Sequence, residues 1–113
     1  MSWSYAPPVA GLVNTTAVQI AAAPADTVQR NYIDSIQIDA TALTAASELV
    51  VRSGAAGTVL WRCNIGTAGL LGGRNIPFPQ PLPGVPGQLL EIALLTNPIA
   101  GSVYLNAQGH TAP

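Results

Sequence analysis

Charged side chains are scarce in this chain of 113 residues, and lysine is absent altogether. Charged residues make up 8% of the chain, against roughly 25% in an ordinary soluble domain, and the net charge is −1. A nucleic-acid interface needs a basic patch that neutralises phosphates. The cationic residues are instead scattered along the sequence, as Arg30, Arg52, Arg62 and Arg74. We therefore expect no direct contact with nucleic acid.

Histidine and cysteine occur once each, as His110 and Cys63. A single cysteine cannot form an intramolecular disulfide, and a metal site needs a cluster of histidine, cysteine or carboxylate ligands. Nucleophilic catalysis needs a nucleophile, a base and an orienting group, and one isolated histidine does not supply them. A carboxylate pair such as Asp34 and Asp39 falls on opposite faces of one predicted strand. We expect no enzyme, no cofactor and no metal site, with a small hydrolase as an alternative.

Long apolar runs are also missing. The most apolar stretch, residues 89–95, is interrupted by Glu91 and is far shorter than the roughly 20 residues that span a bilayer. The first eight residues contain neither the basic region nor the apolar region of a signal peptide. We expect that the protein does not contact a membrane and that it assembles in a cytoplasm.

The shortage of charge has two interpretations. A small domain normally carries charges of both signs over about a quarter to a third of its surface. Much of this surface is then buried against other copies or a larger assembly, or it is covered by neutral threonine, serine, asparagine and glutamine side chains.

Alternating apolar and polar residues predict short strands separated by glycine and proline turns. The predicted strands cover residues 16–21, 31–39, 48–52, 58–65, 89–96 and 102–108, and residues 40–46 form a loop with at most one helical turn. Asp34 breaks the alternation, which indicates a β-bulge or a strand end nearby. The sequence predicts an all-β fold: a single antiparallel β-sandwich or jelly-roll-like domain over residues 13–113, preceded by an extended N-terminal arm over residues 1–12.

Two segments are candidate protein interfaces. The arm presents aromatic and proline side chains, and residues 75–87 contain five prolines, which we expect to prevent a regular ladder. Either segment covers an edge of its own sandwich or contacts another protein. If the arm binds a neighbour, removing residues 1–8 leaves the fold intact. The candidate interface residues are Trp3, Tyr5, Pro7, Pro8, Phe78, Pro79, Pro81 and Leu82.

Several short motifs occur together in a fixed order: Asn14-Thr-Thr16, Arg30-Asn-Tyr-Ile33 leading into Ser35-Ile-Gln-Ile38, Val59-Leu-Trp-Arg62, Pro77-Phe-Pro-Gln-Pro-Leu82 and Tyr104-Leu-Asn-Ala-Gln-Gly109. This set resembles small structural proteins of tailed bacteriophages. In size and β-character the chain is similar to capsid decoration, or cement, proteins.

The resemblance implies a virion structural protein without catalytic activity. Such a protein binds the major capsid protein at symmetric positions on the outer surface of the capsid, stabilises the shell, and associates with itself as a dimer or trimer. A tail or head-fibre component that binds the host surface is the first alternative, and a host-directed binding protein outside the virion is another.

Overall fold

The computed structural model describes residues 1–113 as eight β-strands joined by turns and loops, with no helix. The strands are β1 (Ser2–Tyr5), β2 (Val18–Ala21), β3 (Arg30–Ala40), β4 (Ser47–Ser53), β5 (Thr58–Ile65), β6 (Leu70–Pro83), β7 (Leu90–Leu94) and β8 (Val103–Ala112).

The strands form two antiparallel sheets of four strands each. Sheet 1 has the order β1-β8-β3-β6, and sheet 2 has the order β2-β7-β4-β5. Apolar side chains from alternate positions of both sheets are buried between them. The predicted all-β sandwich is therefore confirmed. The core includes Ile33, Ile36, Leu49, Ile92 and Leu105.

A β-bulge at Asp34 explains the irregular alternation in β3. The pairing register of β3 shifts between Ile33 and Ser35 against both of its neighbours, β6 and β8. The extra residue reverses the side-chain parity, so Ile33 and Ile36 both point into the core although their numbers differ by three. The bulge predicted from the sequence is confirmed. The loop predicted over residues 40–46 is found over residues 41–46, because Ala40 is the last residue of β3.

The N-terminal segment belongs to the sandwich for part of its length. Strand β1 pairs with β8, with Trp3 opposite Gly109 and Tyr5 opposite Ala107. Further along, Leu12 is buried and forms an isolated bridge with Val103. The expectation that residues 1–8 can be removed without effect on the fold does not fit this pairing.

The expectation that the prolines prevent a ladder is wrong. Strand β6 pairs with β3 through residues 70, 74–77 and 82–83, and residues 78–81 lie opposite the bulge, where the register shifts. The prolines at 77, 79, 81 and 83 share one parity. The Gly84 amide donates to the Asn31 carbonyl in β3, so even-numbered residues turn their N–H groups toward β3 and odd-numbered residues turn theirs away. Proline is tolerated here because it occupies positions whose N–H has no partner in the sheet.

Candidate interaction surfaces

The two aromatic side chains of β1 pack against their own domain. Trp3 and Tyr5 are half-buried and lie against the hydrophobic core. The Trp3 indole covers the Cα of Gly109, where a β-carbon would overlap the ring. Burial raises the pKa of the Tyr5 hydroxyl above its ordinary value of 10.0. Much of the area of both side chains is therefore used within the sandwich.

The segment after β1 forms a turn at one end of the sandwich. The Gly11 amide donates to the Pro8 carbonyl, and the Tyr104 hydroxyl donates to the Val9 carbonyl at 3.1 Å. Pro7 is half-buried, whereas Pro8 is exposed. Of the candidate residues in the N-terminal segment, Pro8 is thus the most accessible to a partner.

The proline-rich segment, residues 75–87, also contains both half-buried and exposed candidate residues. Phe78 and Leu82 of β6 are half-buried against the core, while Pro79 and Pro81 are exposed. The rings of Pro79 and Pro81 project from a backbone that is already restricted in the free protein. A contact with these rings therefore costs little conformational entropy.

The predicted candidates do not form one patch. Strands β1 and β6 are the two opposite edges of sheet 1, with β8 and β3 between them. A single flat partner surface cannot cover both edges of a sheet that is four strands wide. An interface role for Trp3, Tyr5, Pro7, Pro8, Phe78, Pro79, Pro81 and Leu82 stays a prediction.

One end of the sandwich carries no charged residue in its loops. The pairing registers bring together the loops 6–13, 41–46, 66–69 and 95–102, and none of these contains Asp, Glu, Arg, Lys or His. Backbone hydrogen bonds hold them in place: Leu43 donates to Thr67, and Thr44 and Ala45 donate to Ala100 and Pro98. We call this region the uncharged end.

Exposed apolar side chains project at the uncharged end. Ile99 is 73% exposed, and Leu71, at the start of β6, is 80% exposed. Ile99 also has a φ of 71°, a left-handed conformation that costs a β-branched residue about 1–2 kcal/mol. The Asn97 side chain supports this turn by accepting a hydrogen bond from the Ile99 amide at 2.9 Å. Sequence reasoning missed this surface, although the absence of charge from these turns is visible in the sequence.

His110 lies in a polar cluster on the outer face of sheet 1. Its ring stacks on Tyr32 with centroids 4.8 Å apart, and its Nδ1 lies 3.0 Å from both carboxylate oxygens of Asp34. The Tyr32 hydroxyl donates to the Pro113 carbonyl. The bulge places Asp34 beside His110, which sequence spacing alone does not show. The His110–Asp34 contact and the stack on Tyr32 hold this part of β8 against β3.

Neutral side chains form a hydrogen-bonded group further along that face. Gln37 donates to Asn75 at 3.0 Å and to Gln108 at 3.1 Å, and Ser35 donates to Gln108 at 2.7 Å. These groups satisfy one another across three strands.

Four of the charged residues lie on the outer face of sheet 2. Arg52 forms an ion pair with Glu91, and Arg62 forms one with Glu48 at 3.1 Å. The Arg52–Glu91 pair is largely buried, and Glu91 also accepts a hydrogen bond from the Ala56 amide. The paired arginines form no basic stripe.

No group of three or more His, Cys, Asp or Glu side chains is placed to hold a metal ion. No helix is long and apolar enough to cross a membrane.

The chain is similar to known proteins in its fold alone. No protein-family model and no curated protein sequence matches the chain. Solved structures that are similar to it include the following two. One is a β-1,3-glucan binding CBM6 from Bacillus halodurans, 14% identical with a TM-score of 0.48, covering 95% of this chain and 83% of that chain. The other is a chain of infectious bursal disease virus, Gx strain, 12% identical with a TM-score of 0.47, covering 96% of this chain and 31% of that chain. Both likenesses concern the β-sandwich alone.

Proposed function

We propose that this protein is a structural subunit of a tailed-phage virion, and that it decorates and stabilises the shell of major capsid protein from its outer surface. The phage assignment rests on the ordered motifs of the sequence. The uncharged end is the single structural observation that carries a docking role.

The uncharged end suits a surface that becomes buried. Covering a charged loop costs desolvation energy that must be recovered by pairing, and these four loops contain no charge to desolvate. Leu71 and Ile99 supply apolar area that the isolated domain leaves in water. The backbone hydrogen bonds among the loops keep this surface ordered before contact, which lowers the entropic cost of binding.

Decoration also needs many weak contacts that act together. Each copy binds one position on a repeating shell, and contacts between neighbouring bound copies would reinforce each docking contact by raising the effective concentration. Exposed Pro79 and Pro81 at the edge of sheet 1 would add a second, preordered contact.

The first experiment is quantitative mass spectrometry of purified virus particles, giving the copy number of this chain relative to the major capsid protein. Near-stoichiometric abundance is the expected result. A handful of copies per particle would instead support the tail or head-fibre alternative, and absence from the particle would overturn the proposal.

A binding assay tests the docking surface directly. We expect Leu71→Asp and Ile99→Asp each to weaken binding to undecorated particles at least tenfold, since each buries a charge at the contact. Val28→Asp is the matched control, because Val28 is 65% exposed at the opposite end of the sandwich. Equal binding by all three variants would refute docking through the uncharged end.

A further inference from the structure

We propose that two copies of this chain associate through strand β5, pairing antiparallel and edge to edge across a two-fold axis. This inference identifies a contact between copies and does not depend on the proposed role in a virion.

The sandwich has four edge strands, and three of them are poorly suited to pairing. Strand β6 presents prolines on its outer side, so that side lacks N–H donors at positions 77, 79, 81 and 83. Strands β1 and β2 are four residues long each and lie side by side along one flank of the sandwich. Strand β5 is eight residues long and contains no proline, glycine or lysine.

The pairing register shows which backbone groups of β5 are not used within sheet 2. The Leu95 amide donates to the Glu48 carbonyl, so even-numbered residues at the start of β4 face β7 and odd-numbered residues face β5. Cys63 and Trp61 pair with Leu49 and Val51 and therefore use their backbone groups within sheet 2. Arg62 and Asn64 consequently direct their N–H and C=O groups outward from the edge.

A second copy satisfies these groups in one favoured register. With Arg62 opposite Asn64 of the partner subunit, and the reverse, both residues exchange backbone hydrogen bonds across the axis. A register with Arg62 opposite Arg62 of the partner subunit would place two positive charges side by side. In the favoured register each Arg62 also approaches Glu48 of the partner subunit, which lies beside Asn64 in the same row.

The apolar side of β5 fits the same arrangement. Trp61 and Cys63 are half-buried and line a cavity of about 240 Å³ between the edges of the two sheets, together with Ile38, Ile65, Leu70 and Ile76. In the favoured register Trp61 lies opposite Ile65 of the partner subunit, which covers this seam from outside. Such a contact is smaller than the roughly 1,200 Å² of a standard interface, so we expect a weak and reversible dimer.

Cys63 reports on the register. It lies on the two-fold axis opposite its own copy, in a position without backbone hydrogen bonds across the axis, where Cα atoms of antiparallel strands are about 4.5 Å apart. That separation is within the range of a disulfide bond. Oxidation with diamide removes two electrons and two protons from the two thiols, reduces diamide to its hydrazine, and joins the copies through one S–S bond.

The experiment is diamide cross-linking of the purified native chain, followed by non-reducing electrophoresis and chromatography with light scattering. The expected result is a single disulfide-linked dimer. Pro79→Cys in a Cys63→Ser background, with its thiol on the edge of the other sheet, serves as the collision control, and we expect it to cross-link at least tenfold more slowly.

Two variants test the edge itself. Asn64→Pro removes an outward N–H that β4 does not use, so the domain folds but cross-linking through Cys63 falls at least tenfold. Arg62→Glu is the second variant, and combining it with Glu48→Arg restores cross-linking by exchanging the charges. Equal rates for the native chain, both single variants and the collision control would overturn the proposal, as would a monomer at every concentration, which would leave β5 to a different partner.

Discussion

Replacing Trp3 with alanine should destabilise the whole domain, because the indole is a half-buried part of the sandwich rather than an anchor held out for a neighbour. A buried tryptophan removes about 150–250 Å² from water, so half of that corresponds to roughly 100 Å². At about 25 cal/mol per Å², the lost burial is worth about 2.5 kcal/mol. For a domain of this size the melting temperature should fall by roughly 10–20 °C.

Thermal unfolding followed by circular dichroism measures this effect, with two controls. Trp3→Phe keeps most of the ring over Gly109 and is expected to cost less than about 1.5 kcal/mol. Val9→Ala changes a side chain that is 97% exposed in the segment following β1, and it should leave stability unchanged. A melting temperature for Trp3→Ala equal to that of the native chain would show that the N-terminal segment is a free arm, and our account of β1 would be wrong.

Two further predictions concern charge and pH. Glu91→Gln leaves Arg52 largely buried without its ion pair and should lower the free energy of unfolding in urea by about 2–4 kcal/mol. Arg62→Gln breaks an exposed pair and should lower it by less than about 1 kcal/mol. Equal losses for the two variants would contradict the burial assigned to the Arg52–Glu91 pair. Because burial raises the pKa of Tyr5, the folded state holds this proton more tightly, so its contribution to stability is complete below pH 10.0 and is lost as the pH rises through the folded-state pKa. As the pH rises above 10.0, the free energy of unfolding should therefore fall less for Tyr5→Phe than for the native chain. If it falls equally for both, the assignment to Tyr5 is wrong.

Most of the strand pattern could be predicted because alternation is a local property. The strands over residues 31–39, 48–52 and 58–65 recur in the structure as β3, β4 and β5 with their ends shifted by one residue or not at all. The bulge at Asp34 could be anticipated for the same reason, since a misplaced acid in an apolar row indicates an inserted residue.

Strands β1 and β6 were not predicted, because both depend on partner strands that are distant in sequence. Strand β1 exists because its residues pair with residues 107–110, and β6 exists because β3 accepts it as a neighbour. Proline excludes a ladder only where the missing N–H faces a partner strand. Whether the odd-numbered residues of β6 direct their N–H groups toward β3 or away from it depends on the register with β3. Single-sequence reasoning did not supply that register.

The same limit applies to the interaction surfaces. The sequence shows that charge is scarce, but the placement of the charged and polar groups follows from the fold. Two Arg–Glu pairs lie on sheet 2, amide side chains bond one another on sheet 1, and the loops of one end are left without charge. Trp3 and Phe78 are interface candidates in the sequence because aromatic residues are effective at interfaces. The core of a domain with an aromatic content of 5% needs the same side chains, and both pack there.

The two proposed contacts constrain each other. Antiparallel pairing through β5 reverses the strand directions of the second copy, so the two uncharged ends of a dimer point in opposite directions. A dimer can therefore dock only one of its uncharged ends on a given shell, and the other copy must stand outward or dissociate. Diamide treatment of decorated particles separates these cases: Cys63 cross-links if the dimer remains intact on the shell. If docking releases the second copy, the particle-bound chain stays monomeric while the free chain cross-links.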